Sequence, residues 1–376
     1  MNELLQKERA RAHEMAQCLK ALCEIESPST DPAGVEAAAR FLAPQFDALG
    51  LASELVPAPG AGPVLRARNR GGHGAAKPVM LLGHLDTVWP LGTLAARPVR
   101  IDGDRMTAPG GYDMKGGLVV VLFALRALAE RGPLPPVTVY FTPLEEVDNT
   151  PYRKAMEDEM RGCSACLDFE PAWPGGAVKT GRKGSGQFLV RAHGVSSHAG
   201  ADLALGANAI VELAHQALAV QPLTDTARGT SVNVGVIRGG TRTNVVPALA
   251  ELEMDFRYPT IEEGRRVEAA VRALQPHVKG VRLEVEGGMS YPPLERNERT
   301  LSVYAKAKAA AEELGLPLSE VVTGGASEAS FASALGLPTL DGLGPDGDGA
   351  HAVHEHVLLP SLPERVALTA ELLNRL

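Results

Sequence analysis

The sequence predicts an α/β fold with a mainly parallel central sheet, interrupted by a smaller inserted ferredoxin-like α+β domain. Three observations carry this. Short β-branched apolar runs alternate with helix-length apolar segments up to residue 179, the pattern of a parallel sheet covered by helices. A βαββαβ succession then fits within roughly 110 residues, as a ferredoxin-like module requires. Helical and strand patterns resume near residue 290. The predicted division is therefore 1–179 with 290–376 for the larger domain and 180–289 for the insert.

Residues 3–50 read as two helices. The turn cluster Ser27-Pro28-Ser29-Thr30-Asp31-Pro32 separates them and can cap the second. Residues 60–74 read as a glycine-rich loop. The run Val79-Met80-Leu81-Leu82 fits a buried parallel strand. Residues 116–131 have helical length and end at Gly132, a suitable C-cap. Strands are expected at 137–141 and 165–169. In the insert, strands at 187–192, 231–237, 249–256 and 281–286 alternate with helices at 205–219 and 261–274. A helix at 301–314, a short strand at 338–340 and a helix at 362–373 complete the pattern.

Composition narrows the class. A chain of 376 residues with 45% hydrophobic content can bury roughly 75% of its unfolded surface and needs no staples. Its net charge of −8, from 37 basic and 45 acidic residues, argues against nucleic acid as a partner. The longest apolar run, 118–125, stops at Arg126, well short of the ~18 residues of a membrane span. Residues 1–15 alternate charge with short apolar side chains, a helix pattern and not a signal peptide. A soluble, cytoplasmic protein with no membrane partner is expected. Cys163 and Cys166 form a CxxC, but Cys18 and Cys23 match no zinc-ribbon spacing, so all four read as core residues.

Candidate metal ligands fall at predicted strand ends. His84 and Asp86 follow the strand at 79–82, and Asp113 stands among glycines before the helix at 116–131. Glu145-Glu146 and Glu170 follow the next two strands, and His351 lies in a Gly/Asp loop after residue 340. In open α/β sheets, sites form in the crevice outside the strand carboxyl ends. Imidazole and carboxylate without thiolate suit Zn, Co or Mn. Two histidines and three carboxylates suffice for two metals if one carboxylate bridges, and such a pair activates water. Adjacent glutamates point different ways, so one can ligate while the other serves as general base. Asp86, two residues beyond His84 on an extended segment, can accept the second imidazole N–H. Asp168 rivals Glu170, but Glu170 lies beyond the strand end; His354 and His356 rival His351, which follows the glycines directly. His13, His73, His193, His215 and His277 sit in no motif and read as structural. The GxGxxG string Gly342–Gly347 lacks a following helix, so it reads as a turn and not as a dinucleotide site.

GHLDTVWP (83–90), APGGYDMKGG (108–117), Glu145-Glu146, DFEP (168–171), GVSSHAG (194–200), TNVVP (243–247) and GAHAVHEHV (349–357) resemble, in order, the dizinc peptidase family of acetylornithine deacetylase, succinyl-diaminopimelate desuccinylase, aminoacylase and glutamate carboxypeptidase, with the last branch nearest. The resemblance implies a zinc-peptidase-like catalytic domain and a dimerisation (lid) insert. It implies two zinc ions, one on His84 and Glu170, the other on Glu146 and His351, bridged by Asp113 beside a cis Asp113–Met114 bond. It further implies Glu145 as general base, Asp86 as partner of His84, and His198 as an oxyanion donor reaching the partner subunit's site. Asn244 and Arg257 would bind substrate, an Arg fork matching a free carboxylate. The implied activity is release of a C-terminal amino acid, glutamate-like favoured, from an N-acyl or peptidyl conjugate by a homodimer. Dipeptidase or deacylase activity, a one-metal site and a non-catalytic binding module are the alternative readings. Two positions depart from the family pattern. Asp148-Asn149 stand where Gly-Ser is usual, adding acid near the predicted ligands, and Glu328 replaces an Asp.

Overall fold

Residues 79–84 and 137–142 are apolar enough to be buried along their whole length, and they pair in parallel at the centre of a six-stranded sheet. The computed structural model describes residues 2–69 and 76–376. His73 lies outside the described residues. The chain divides into two units. One comprises Met1–Thr180, Arg296–Val322 and Phe331–Leu376; the other comprises Gly181–Glu295 and Thr323–Ser330.

In the first unit the strand order is Leu51–Val56, Val64–Asn69, Val137–Thr142, Val79–His84, Ala165–Asp168, Thr339–Leu340. The last four are mutually parallel, and the first two extend the sheet antiparallel. The helix Gly116–Ala129 is buried on nearly every side, as its continuous apolar sequence requires, and it packs with the helix Ser361–Leu373. All four parallel strands therefore present their carboxyl ends along one edge.

Three local expectations need correction. The first predicted helix is two helices, Glu3–Ala10 and Ala12–Cys23, because Arg11 leaves helical geometry at φ −95°, ψ 2°. The helix Pro32–Ala48 follows, with the Asp31 carboxylate accepting from the Gly34 N–H as its cap. Residues 64–69 form a strand, not a loop. Leu65 and Ala67 are buried on one face there, while Arg66 and Arg68 reach Glu159 from the other. The helix Thr150–Arg161 was not among the expected elements. It buries only Tyr152, Met156 and Met160, spaced four apart on a charged surface.

The second unit is a βαββαβ module. Its four antiparallel strands run in the order Ser231–Gly239, Leu249–Tyr258, Gly184–His193, Arg282–Tyr291. Phe188, Val190, Ala192, Ala250, Leu252, Met254 and Phe256 alternate onto one buried face, with Phe188 stacked on Phe256 at 5.5 Å. The first helix starts at Ala209, later than expected, because the Asn208 side chain accepts from the Ile210 and Val211 N–H groups and caps it there. No described helix is long and apolar enough to cross a membrane. The four cysteines are free, and Cys23, Cys163 and Cys166 are buried.

Candidate metal centre

His84 ends its strand, and its Nδ1 lies 3.0 Å from the Asp86 backbone carbonyl. A carbonyl only accepts, so Nδ1 carries a proton, and Nε2 is the nitrogen left facing Asp113 and Glu170. The Asp86 carboxylate, expected to play this part, lies farther from Nδ1, at 3.5 Å. It organises the next loop instead. Its two oxygens accept the Glu145 N–H at 3.1 Å and the Glu146 N–H at 3.2 Å, and Ser29 Oγ donates to it at 2.6 Å.

Asp113 is delivered by the loop before the buried helix, and the Asp113–Met114 peptide is cis, as the resemblance implies. Its carboxylate lies between two imidazoles. Oδ1 is 3.3 Å from His84 Nε2, and Oδ2 is 3.3 Å from His351 Nε2. Glu170 Oε1 stands 3.4 Å from His84 Nε2, and Glu146 Oε2 stands 3.0 Å from His351 Nε2. Gly117 allows this approach: a Cβ there would stand 1.9 Å from the Phe169 carbonyl oxygen, beside Glu170. His351 holds φ 62°, which non-glycine residues seldom adopt outside functional loops. The ligating atoms of His84, Asp113 and Glu146 lie within 4.8 Å of one another, as do those of His84, Glu145 and Glu170.

The electrostatics of this cluster call for a cation. Burial opposes charge on His84, yet Asp113, Asp86 and Glu170 hold its pKa well above the usual value. Asp113 and Glu146 push His351 up to about 11. Burial also opposes ionisation of Asp113, but His351 and His84 together hold its carboxyl far below the ordinary range. Glu146 is raised by burial, and the Asp113 charge adds to the effect against His351. His84 Nε2, Asp113 Oδ1 and Glu146 Oε1 are buried and have no hydrogen-bond partner among the described residues. Buried polar atoms are normally satisfied. One orphaned imidazole nitrogen and two orphaned carboxylate oxygens, gathered with the His351 imidazole and the Glu170 carboxylate, fit divalent metal ions.

The structure places the remaining sequence candidates as follows. His354 is exposed, and His356 Nδ1 lies 3.0 Å from an Arg105 nitrogen. Asp148 is exposed; its carboxylate accepts from the Thr150 N–H at 2.9 Å, so this acid serves the start of the helix Thr150–Arg161. Glu328 is buried in the segment 323–330 of the second unit. The Gly342–Gly347 string runs beside Glu170, with Gly344 N–H donating to its carbonyl, and leads into the strand Gly347–Asp348 and not a helix. In the second unit, His198 is exposed. Its Nδ1 accepts from the Gly200 and Ala201 N–H groups at 3.1 and 3.0 Å, which leaves the proton on an outward Nε2. Asn244 is exposed, and its backbone carbonyl accepts from Ala199. Arg257 is half-buried and donates from Nε and Nη2 to the two Asp255 oxygens, both at 3.0 Å.

Sequence reasoning passed over Asp255, Ser29, Trp89 and Glu355. Asp255 could have been found as the i−2 neighbour of Arg257 on one strand face. Glu355 sits fully buried four residues after His351, and burial pushes its carboxyl up to about 7 against the N–H groups that bond it.

A parallel sheet that gathers two histidines and three carboxylates at one edge, in a chain carrying a ferredoxin-like insert, defines a metal-dependent hydrolase. The chain belongs to peptidase family M20/M25/M40, whose model matches residues 80–375. It is 31% identical over 371 residues to carboxypeptidase G2 of a Pseudomonas species, covering 94% of this chain and 87% of that protein. It is 29% identical over 318 residues to a succinyl-diaminopimelate desuccinylase of Verminephrobacter eiseniae, covering 77% and 76%. Its fold matches an M20 family metallo-carboxypeptidase from Sulfolobus solfataricus with TM-score 0.71 at 18% identity, covering 99% of each chain. It also matches aminopeptidase PepT from Bacillus cereus with TM-score 0.75 at 20% identity, covering 96% and 98%. The protein is a metallopeptidase-type amide hydrolase.

Proposed function

We propose that this enzyme is a two-metal amide hydrolase that releases a C-terminal amino acid, glutamate-like favoured, from an N-acyl or peptidyl conjugate. The observation that supports this most is the Asp113 carboxylate, with one oxygen 3.3 Å from each of two imidazoles. In this reading His84 and Glu170 hold one ion, Glu146 and His351 hold the other, and Asp113 is shared. Zinc suits the set, with cobalt or manganese as substitutes. The ions would supply Lewis acidity toward a carbonyl and a water of lowered pKa. Glu145, whose carboxylate shares the neighbourhood of His84 and Glu170, takes the proton of the attacking water. As the C–N bond breaks, the same carboxylate returns that proton to the leaving amine nitrogen. Asp86 holds Glu145 and Glu146 in place through their N–H groups.

The inserted unit supplies the substrate contacts in this reading. His198 offers Nε2–H to the developing oxyanion, within a homodimer that the family resemblance implies. Asn244 and Arg257 hold the departing amino acid, and the Arg257 fork takes its free carboxylate. The relative named carboxypeptidase G2 supports a carboxyl-terminal leaving group.

The test is amino acid release from N-acylated glutamate, ornithine, diaminopimelate and neutral residues, from dipeptides, and from an aroyl-glutamate. Release should require zinc or cobalt, stop on chelation, and favour an acidic leaving residue. Protein carrying two metals per chain that releases nothing from the panel would contradict the proposal.

A further inference from the structure

Behind the candidate ligands lies a carboxylate that touches none of their side chains. Glu355 has 0% solvent exposure. It makes no salt bridge among the described residues, and the buried Lys115 offsets its charge only through longer-range attraction, so its burial is costly for a charged group. Its partners are four N–H donors, two on each oxygen. Oε2 accepts from Trp89 Nε1 at 2.7 Å and from the Gly110 N–H at 2.8 Å. Oε1 accepts from the Tyr112 and Asp113 N–H groups, both at 3.1 Å.

These donors belong to two different ligand loops, and Glu355 itself belongs to a third. Trp89 lies in the loop that begins with His84. Gly110, Tyr112 and Asp113 form the loop that presents Asp113. Glu355 shares a tight loop with His351, closed by the Ala352 N–H on the Gly349 carbonyl at 2.8 Å and by the Glu355 N–H on the Ala352 carbonyl at 3.0 Å. Gly349 permits that closure, since it holds φ 83° and a Cβ there would stand 2.9 Å from the Glu355 nitrogen. Only an acceptor with two equivalent oxygens can serve four converging donors. A glutamine would turn its NH2 toward two of them. An aspartate keeps the charge and is one methylene too short.

We propose that Glu355 is a positioning residue that ties the His84, Asp113 and His351 loops together and so sets the spacing of the metal pair before metal arrives. This rests on the two-metal reading above. Partners of this kind, one step removed from ligands, commonly alter metal affinity or activity about 10–100-fold.

The test uses full-length wild type, Glu355→Gln, Glu355→Asp and Trp89→Phe. Each is prepared metal-free and titrated with Co(II). Cobalt per chain, affinity by chelator competition, the visible Co(II) spectrum, the metal-free Tm, kcat and KM are measured. Glu355→Gln and Glu355→Asp should both bind cobalt about 10–100-fold more weakly, with altered visible bands. Their kcat should fall in step while KM changes little. Trp89→Phe should move the same readouts in the same direction by less. Wild-type affinity and spectrum in Glu355→Gln would overturn the proposal. So would full rescue by Glu355→Asp, which would assign the effect to charge and not to reach. If Glu355→Gln does not fold, Trp89→Phe decides, and a wild-type cobalt spectrum and affinity in it would count against the proposal. Wild type that takes up no cobalt would defeat the two-metal reading and this inference together. Wild type binding two ions that Glu355→Gln binds equally well would defeat only the inference.

Discussion

Glu146 and Glu263 are both shielded glutamates, with side chains 6% and 11% exposed, and they sit in opposite electrostatic states. In the first unit, burial raises the Glu146 carboxyl and Asp113 adds to the rise; one of its oxygens has no hydrogen-bond partner among the described residues. In the inserted unit, Arg266 leads a set of partners, with Thr230 and Arg228, that holds Glu263 down at about 2. The same contrast runs through the two regions. The inserted unit balances its acids within the chain: Arg191 with Glu251, Glu284 and Glu286, His193 with Glu284, and Arg257 with Asp255. The first unit gathers carboxylates at a sheet edge and answers them with two imidazoles and, 3.9 Å from Glu170, the Lys179 ammonium. Balanced charge stabilises a fold, whereas charge left short of a counter-ion marks where a ligand completes the structure.

Charge balance and substrate binding make different demands on Arg257. If the Arg257–Asp255 pair only balances charge, its loss costs stability and nothing else. If Arg257 takes the substrate carboxylate, Arg257→Ala should raise KM about 10–100-fold, the value of one charge-assisted hydrogen-bonding contact. Metal content should be unchanged. Steady-state kinetics on the best panel substrate decides, and an unchanged KM would return Arg257 to the structural role.

A smaller effect sharpens the other side. The Glu263 carboxyl lies near 2 in the folded chain against an ordinary 4.5. Its contribution is therefore full above pH 4.5 and disappears as the pH falls toward 2. Glu263→Gln should lower stability at neutral pH by about 1.5 kcal/mol, the low end for hydrogen bonds to a charged group. Thermal melts across pH should show the two proteins converging on acidification. A gap that widens toward low pH would contradict this account of the charge balance.

Much of the convergence in the first unit could be read from the sequence. His84, Glu145-Glu146 and Glu170 each follow a short apolar run, and parallel strands align their carboxyl ends at one edge. Asp113 and His351 stand in glycine-rich loops that a strand-and-helix reading leaves nowhere else to go. The supports behind them were hidden for a physical reason. Glu355 and Asp86 act largely on backbone N–H groups, and a backbone donor leaves no mark in the side-chain pattern. Ser29 reaches Asp86 across 57 residues, a pairing that only the closed fold creates. The strand Val64–Asn69 was masked by its glycine-rich surroundings and by two arginines on its outer face. The helix Thr150–Arg161 was masked because so few of its residues are buried. Asp148 read as extra acid near the metals until its bond to Thr150 showed a turn residue.

In the proposed reaction Glu145 moves the proton while other side chains hold the metals. One measurement separates the two roles: the rate of amino acid release by Glu145→Gln loaded to the same metal content as wild type. The account predicts two metals per chain retained and a rate lower by about 10²–10⁴, the usual contribution of a general base. Glu145→Gln with two metals bound and the full wild-type rate would contradict it.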